Sequence, residues 1–474
     1  MLSYLLEDRK FYRTLLHLAI PIAAQNFVSS SVNMLDTIMI GQLGETEIAA
    51  VGQANQLFFL FTLMLFGINS GSAIFTAQFW GKRDVRNIRR VLGIGLATAC
   101  SAAALFTILA LFFPGQVMSI YSKDPAVIEA GVDYLQIVGL SYIITAVSFS
   151  YSAVLRSTEQ ARLPLILSVI SLLSNGILNY LFIFGKFGFP EMGVEGAALA
   201  TLIARIIEAV LMLVLVYAGK YAPAARWKEM ADLSKDFVKR FFKTTIPVIL
   251  NETIWSLGVS IYSIVYGQIG TEAVAAVNIS GTVTNIAMVL FFGMSNSAAI
   301  MIGNRIGAGE EDKAFGYAKK LLTLGPLFAV FIGGATILTS GFFLRLFNVS
   351  GAVRLDAQRI LTVFGLLMPA KIFNLINIVG VLRSGGDTKY SLFLDAFGVW
   401  VIGIPLALAG GLLFGLPIYW VSFLVGLEEI FKFLLGIRRF QSRKWINNLV
   451  RHIGSGDMSD TQELQTQPVT ETTV

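Results

Sequence analysis

The sequence predicts an all-α polytopic membrane protein with about twelve transmembrane helices in two six-helix lobes. Of its 474 residues, 55% are hydrophobic and 14% are charged, and the mean hydropathy is +0.70. A soluble domain carries roughly a quarter charged residues. Apolar runs of about 18 residues or more, each long enough to cross a bilayer, recur along nearly the whole chain. The chain is also internally duplicated.

The predicted spans follow these apolar runs. They lie near residues 15–40, 48–78, 91–113, 133–155, 163–185, 194–218, 241–266, 275–302, 321–344, 357–382, 390–412 and 416–437. Two of them are long for a hydrocarbon core of roughly 30 Å, so we expect helices that tilt or extend past the bilayer.

The positions of Lys and Arg predict the orientation. The N-terminus, every second loop and the C-terminal tail together hold 28 of the 36 basic residues, and the opposite loops hold five. Basic loops remain on the cytoplasmic side. We therefore expect a multi-pass protein of the cell (cytoplasmic) membrane with both termini in the cytoplasm. The net charge of +6 needs no nucleic acid to explain it.

An internal repeat divides the chain into halves. Residues 21–84 align without a gap on residues 247–310 at an offset of 226, with 14 identities in 64 positions. Val154–Ser157 recurs as Val381–Ser384 at an offset of 227. Six spans in each half leave the halves pointing the same way, so a pseudo-two-fold axis along the membrane normal relates them across a cleft. This plan is typical of transporters.

The repeat predicts four segments: an N-lobe over 1–218, a cytoplasmic linker over 219–243, a C-lobe over 244–440 and a largely disordered tail over 441–474. Within the linker, Trp227–Lys243 has the pattern of an amphipathic helix on the membrane surface. The tail beyond Gly454 has no apolar period.

The first span carries one acid, Asp36. An acid inside hydrocarbon costs a few kcal/mol and is by default paired or functional. Asn175 and Asn179 share one face of the fifth span, and Thr201 lies at a similar depth in the sixth. The four could hold a proton on Asp36 or offer oxygens to Na⁺. Alternatively, the amides and the hydroxyl only hydrogen-bond across helices.

The second half has its own charged residues. Glu252 and Lys371 both lie near mid-membrane and could form a buried ion pair. Alternatively, Glu252 faces the cleft and meets a cationic substrate beside Trp255 through a cation–π contact. Asp395, in the inner part of the eleventh span, is a similar candidate. These four are the predicted substrate-binding residues.

Other polar groups predict no further chemistry. Four charged residues nearer the inner ends of spans are expected to snorkel: Arg205, Glu208, Glu428 and Lys432. The two histidines, His17 and His452, form no cluster for metal or triad chemistry, and the sequence has no GxxxxGK[ST] phosphate loop. We expect neither an enzyme nor a cofactor.

Four motifs, in this order on a duplicated chain, resemble the multidrug and toxic compound extrusion (MATE) family. They are Asp36–Gly41 (DTIMIG), Asn175–Tyr180 (NGILNY), Gly193–Thr201 (GVEGAALAT) and Leu382–Thr388 (LRSGGDT). The resemblance implies a secondary antiporter with a V-shaped cleft between two lobes that opens alternately to either side. It would exchange Na⁺ or H⁺ for organic, often cationic, drugs, and we expect a monomer.

The resemblance also implies roles for single residues. Asp36, Asn175, Asn179 and Thr201 fall on the family's N-lobe cation site, and Glu252 is similar to an acid that some members carry in the seventh span.

Two other functions stay open. A flippase for a lipid-linked oligosaccharide, of a related fold, would need a larger and more cationic cleft for phosphate, which Asp36 and Glu252 disfavour. A non-transporting membrane enzyme or receptor would have no need of duplicated halves.

Overall fold

The computed structural model describes residues 8–347, 349–451 and 453, and these residues form helices with no β-strand. The α-helices are α1 (Arg9–Ile40), α2 (Glu45–Gly81), α3 (Val85–Phe112), α4 (Pro114–Tyr121), α5 (Pro125–Val138), α6 (Ser141–Ser157), α7 (Arg162–Ile183), α8 (Gly193–Ala218), α9 (Trp227–Ala231), α10 (Lys235–Ile269), α11 (Thr271–Gly307), α12 (Glu311–Leu344), α13 (Gly351–Leu375), α14 (Thr388–Ala396), α15 (Ile404–Leu408) and α16 (Ile418–Gln441). Three π-helical segments extend α13 and continue α14 and α15: Ile376–Leu382, Phe397–Gly403 and Ala409–Leu413.

The membrane-spanning architecture agrees with the prediction. Among the described helices, ten are long and apolar enough to cross a membrane, and α5 with α6, bent by 50°, makes an eleventh span. The twelfth predicted span is α16, which is 24 residues long and carries Glu428, Glu429 and Lys432 near its middle. The predicted all-α polytopic fold is confirmed.

The two lobes pack against each other through α1, α2, α10 and α11. Helix α1 lies against α11, and α10 lies against α2, so the first span of each lobe contacts the second span of the other. This reciprocal packing follows from the duplication, because residues 21–84 and 247–310 are the repeat-related parts of these helix pairs.

The lobes approach most closely at the end that carries the basic loops and residues 442–451, which we call the basic end. Gly81 and Gly307 are related by the 226-residue offset. A Cβ atom at Gly81 would lie 1.9 Å from the Asn304 carbonyl oxygen, and one at Gly307 would lie 1.8 Å from the Gln78 carbonyl oxygen. The absence of a side chain at both positions lets the two backbones touch.

The interface loosens towards the opposite end. Midway along, a Cβ atom at Gly67 would lie 2.9 Å from Ile249 Cα, and one at Gly293 would lie 2.6 Å from the Ala19 carbonyl oxygen. Nearer the opposite end, a Cβ atom would meet nothing within 4 Å at Gly52, Gly267 and Gly281. Among these glycines, contact between the lobes is therefore closest at the basic end.

The structure of the linker differs from the prediction in its number of helices. The single helix predicted over Trp227–Lys243 is two helices, because α9 ends at Ala231 and α10 begins at Lys235. The Ser234 hydroxyl accepts a hydrogen bond from the Phe237 amide at 3.2 Å and so starts a new helix. The basic residues that follow belong to the seventh span.

Ion pairs hold the linker against α3. Arg86 Nη2 lies 3.2 Å from Asp232 Oδ2, Arg89 Nη1 lies 2.5 Å from Glu229 Oε1, and Arg90 pairs with the same Asp232. The Arg90 guanidinium donates to Asp232 and holds the pKa of that carboxyl below its usual range. The segment that joins the lobes is thus held on the N-lobe side of the basic end.

The C-terminal tail is described in part. Residues 442–451 pack across the basic end, where Trp445 and Val450 are fully buried. Residues 454–474 lie outside the described residues, and their disorder stays a prediction.

We expect Gly307→Ala to lower the free energy of unfolding by about 1–3 kcal/mol, because the new methyl group would overlap the Gln78 backbone. Gly52→Ala is the matched control, since its methyl group meets nothing within 4 Å and alanine favours the helix by up to about 1 kcal/mol. Thermal unfolding in detergent measures both variants. Equal midpoints would contradict the close contact at the basic end.

Candidate functional site

Four polar side chains of the N-lobe form a hydrogen-bonded row. Asn179 Nδ2 lies 2.5 Å from Asp36 Oδ1 and 3.3 Å from Asn175 Oδ1, and Asn175 Nδ2 lies 3.3 Å from Thr201 Oγ1. The two asparagines are buried, whereas Asp36 and Thr201 are partly exposed. The structure therefore brings together all four predicted cation-site residues, which we call the Asp36 row.

Small residues let the three helices of the row approach each other. Helix α7, which carries the two asparagines one turn apart, packs against both α1 and α8. A Cβ atom at Gly196 would lie 2.7 Å from the Phe182 carbonyl oxygen, and one at Gly176 would lie 2.9 Å from the Leu35 side chain. Close helix contacts in membranes depend on such small residues. The glycines of the motifs thus set the spacing of the row.

The row contains a buried oxygen that could accept a further bond. No donor among the described residues forms a hydrogen bond to Asn179 Oδ1. Together with the Asp36 carboxylate and the Thr201 hydroxyl, it provides the oxygen types that hard cations prefer, and Asp36 can instead take a proton. The described residues contain no group of three or more His, Cys, Asp or Glu able to hold a metal. A metal cation here would therefore depend on amide and hydroxyl oxygens.

An ion pair lies one turn beyond Thr201 on α8. Arg205 Nη1 is 3.0 Å from Glu208 Oε2, and only 9% of the Glu208 side chain is exposed. The prediction that both residues snorkel is wrong, because each charge has its partner inside the protein. Arg205 is thus paired with Glu208 and not with Asp36.

In the C-lobe, Glu252 pairs with Arg383. Arg383 Nη2 lies 2.7 Å from Glu252 Oε1, and the two side chains are 3% and 12% exposed. Lys371 Nζ lies instead 3.3 Å from Glu429 Oε1, and 41% of its side chain is exposed. The Glu252–Lys371 ion pair that the sequence left open is therefore not formed. Trp255, three residues after Glu252 on α10, is substantially exposed.

Asp395 belongs to a buried network in the C-lobe. Its Oδ1 lies 3.3 Å from Lys432 Nζ, and its Oδ2 accepts a hydrogen bond from Asn251 Nδ2 at 2.8 Å. Lys432 Nζ also lies 3.5 Å from Glu428 Oε1. The prediction that Glu428 and Lys432 snorkel is wrong, because α16 packs against the π-helical part of the eleventh span and buries both side chains.

The ion-pair partners of Lys371 and Glu252, which are Glu429 and Arg383, had only weak signals in the sequence. Glu429 accepts a hydrogen bond from Asn374 Nδ2 at 2.8 Å in addition to its contact with Lys371. Its signal was a pair of adjacent acids in an otherwise apolar span. Arg383 lies in a loop and contributed to the orientation, but its long side chain extends back into the lobe and meets Glu252.

The repeat places a hydroxyl where the N-lobe has its first acid. The offset of 226 relates Asp36 to Tyr262. In the C-lobe, the Tyr262 hydroxyl donates to Glu428 Oε2 at 2.7 Å. The two lobes therefore differ at this position of their first spans, and the acid nearest to it in the C-lobe lies on the last span.

We expect Lys432→Met to lower the free energy of unfolding by about 3–5 kcal/mol, because it leaves the buried Asp395 and Glu428 without their cation. Lys313→Met is the matched control. It makes the same chemical change at a side chain that is 64% exposed, and its partner Glu310 keeps Arg305, so a loss of about 1 kcal/mol or less is expected. Thermal unfolding compares the two, and an equal or larger loss for Lys313→Met would contradict this assignment.

Known proteins resemble the chain over nearly its whole length. It is 27% identical over 445 residues to the "Uncharacterized transporter YisQ" of Bacillus subtilis, covering 93% of this chain and 96% of that protein. It is 24% identical over 453 residues to the "Probable multidrug resistance protein NorM" of Thermotoga maritima, covering 93% and 94%.

Solved structures show the same fold. A structure described as MATE in the bent conformation matches with a TM-score of 0.82 at 20% identity, covering 92% of this chain and 96% of that one. An outward-facing multidrug resistance MATE family transporter matches with a TM-score of 0.81 at 19% identity, covering 91% and 96%. The family model described as MatE matches residues 21–181 and 247–409, one block in each half of the duplication. The chain belongs to the MatE family.

Proposed function

We propose that the chain is a secondary antiporter that exports organic cations in exchange for H⁺ or Na⁺ by alternating access of its two lobes. The observation that carries this proposal is that Asp36 accepts a hydrogen bond from the Asn179 amide and that no Lys or Arg of the described residues forms an ion pair with it. Five other acids within the described spans each have a Lys or Arg partner: Glu208, Glu252, Asp395, Glu428 and Glu429. A carboxylate in hydrocarbon without a fixed counter-charge favours an exchangeable cation.

The cleft and the relatives support export of drugs. The lobes touch most closely at the basic end, which agrees with one of the two states that alternating access requires. Relatives such as the Thermotoga maritima protein are named as probable multidrug resistance proteins. A transporter of this plan, with its basic loops in the cytoplasm, would release substrate outside the cell in this state.

Cation binding at Asp36 supplies the coupling. A proton on Asp36 Oδ1 would place a donor opposite the Asn179 Nδ2 donor and break that hydrogen bond, whereas a proton on Oδ2 would leave it and remove the negative charge. A cation that enters down the membrane potential releases about 2.3 kcal/mol per 100 mV. Its binding can shift the equilibrium between the two states of the lobes only by the difference in its affinity for those states.

Glu252 is the proposed contact for the substrate. A cationic amphiphile beside Glu252 would compete with Arg383 for its carboxylate, and Trp255 would add a cation–π contact. Lys371 has an exposed ammonium group that would repel a cation placed next to it, so it limits where the cation lies. Asp395 is engaged by Lys432 and supports the lobe.

We expect Asp36→Asn to reduce export of a cationic fluorescent dye roughly tenfold or more, because the amide takes no proton and carries no charge. Dye uptake into inverted membrane vesicles, which expose the cytoplasmic face, is measured under separately imposed Na⁺ and pH gradients. The wild type should respond to the coupling gradient, and the variant should respond to neither.

Ser30→Ala is the matched control on the same helix, because the Ser30 hydroxyl bonds the Asn26 carbonyl of its own helix at 3.1 Å. It should transport normally. Export by Asp36→Asn at the wild-type rate would disprove the coupling mechanism. Lipid scrambling in liposomes without dye export would favour the flippase instead.

A second prediction concerns substrate charge. Glu252→Gln should raise the KM for cationic dyes about tenfold and leave export of neutral dyes nearly unchanged, because it removes a carboxylate and leaves Arg383. Glu272→Gln, the same change at the exposed start of α11, is the control. Equal effects on cationic and neutral dyes would rule out a direct contact with the cation.

A further inference from the structure

Residues 442–451 cross the basic end between the lobes, and we call them the C-terminal strap. The strap follows α16, the last span of the C-lobe. Trp445 is fully buried, its ring lies 6.2 Å from that of Phe440, and its Nε1 donates to the Phe440 carbonyl at 3.1 Å. The Asn447 amide donates to the Gly385 carbonyl at 2.9 Å. This part of the strap is anchored in the C-lobe.

The remainder of the strap contacts the N-lobe as well as the C-lobe. Asn448 Nδ2 donates to the Ile306 carbonyl of the C-lobe at 2.7 Å, and Arg451 Nη2 lies 2.8 Å from Glu311 Oε1 of the same lobe. Val450 is fully buried in an apolar cluster built mainly from N-lobe residues such as Phe75 and Phe79, to which Phe237 and Phe241 of α10 also belong. Nearby, Lys82 Nζ donates to the Ile453 carbonyl at 2.8 Å. Only four residues thus separate Trp445, which is buried against the C-lobe, from Val450, which is buried in this cluster.

Gln78 joins the strap to both lobes. Its Nε2 donates to the Ser384 carbonyl of the C-lobe at 2.9 Å and to the Asn447 carbonyl at 3.1 Å. Its Oε1 accepts a hydrogen bond from the Leu449 amide at 2.8 Å. Its own carbonyl is the atom against which Gly307 packs. Separation of α2 from α11 would therefore break the strap's contacts with one lobe.

We propose that the C-terminal strap is a latch that stabilises the state closed at the basic end. The half anchored by Trp445 stays with the C-lobe, because it is continuous with α16. The half anchored by Val450 leaves the N-lobe when the basic end opens. The latch deepens the proposed function, since it rests on alternating access, and it sets the balance between the two states.

A single-cysteine reporter tests the latch without substrate or ion gradient. In a Cys100→Ser background, Ala77→Cys places a thiol where Gly303 of the other lobe packs, at a residue that is 2% exposed. A membrane-impermeant maleimide applied to the basic side labels it when that end opens. Val450→Asp should raise the labelling rate roughly tenfold, because a carboxylate is costly in the apolar cluster.

Two further variants complete the experiment. Val450→Ala keeps the cluster apolar and should raise the rate about threefold, so it decides the matter if the Asp variant misfolds. Deletion of residues 454–474 leaves the strap intact and should leave the rate unchanged.

The outcomes separate the latch from the export function. Wild-type labelling rates in the folded Val450 variants would overturn the latch, as would an equal increase on deletion of 454–474. If the wild type exports no dye but Val450 substitution still speeds labelling, the latch stands and the proposed function fails. If the wild type exports dye and Val450 substitution does not change the labelling rate, the proposed function stands and the latch fails.

Discussion

The cost of an unpaired charge in hydrocarbon governs how the two lobes are built. In the C-lobe, lysines and arginines neutralise the described acids of the spans, and the pairs tie the seventh, tenth, eleventh and twelfth spans together. In the N-lobe, Asp36 meets an amide instead. One lobe therefore has its charges fixed in ion pairs, while the other keeps a carboxylate that the described residues pair with an amide and with no cation.

The duplication determines how the lobes meet. Gly81 and Gly307 contact each other's neighbours reciprocally, and this is possible because both copies retain the same glycine. The strap adds an asymmetric element at the same place. It follows the last span of the C-lobe, and it buries Val450 in a cluster built mainly from N-lobe residues. Contact between the lobes thus combines an inherited symmetric part with a part that only the C-terminal half supplies.

The Asp36 row could be predicted because its residues lie on regular helices, where depth follows from the rise per residue and facing follows from four-residue spacing. Partners in the C-lobe could not be predicted in this way. The π-helical segments Ile376–Leu382 and Phe397–Gly403 change which faces meet. Arg383 lies outside the spans, and nothing in its sequence position shows that its side chain extends to Glu252.

The difference between Asp36 and Tyr262 has a consequence for the chain as a whole. A chain made from two N-terminal halves would carry the Asp36 carboxylate twice and no Lys432 to brace either lobe, whereas one made from two C-terminal halves would be braced and would lack Asp36. Neither homogenised chain would combine the two features. The two halves are therefore not interchangeable, although they share one scaffold.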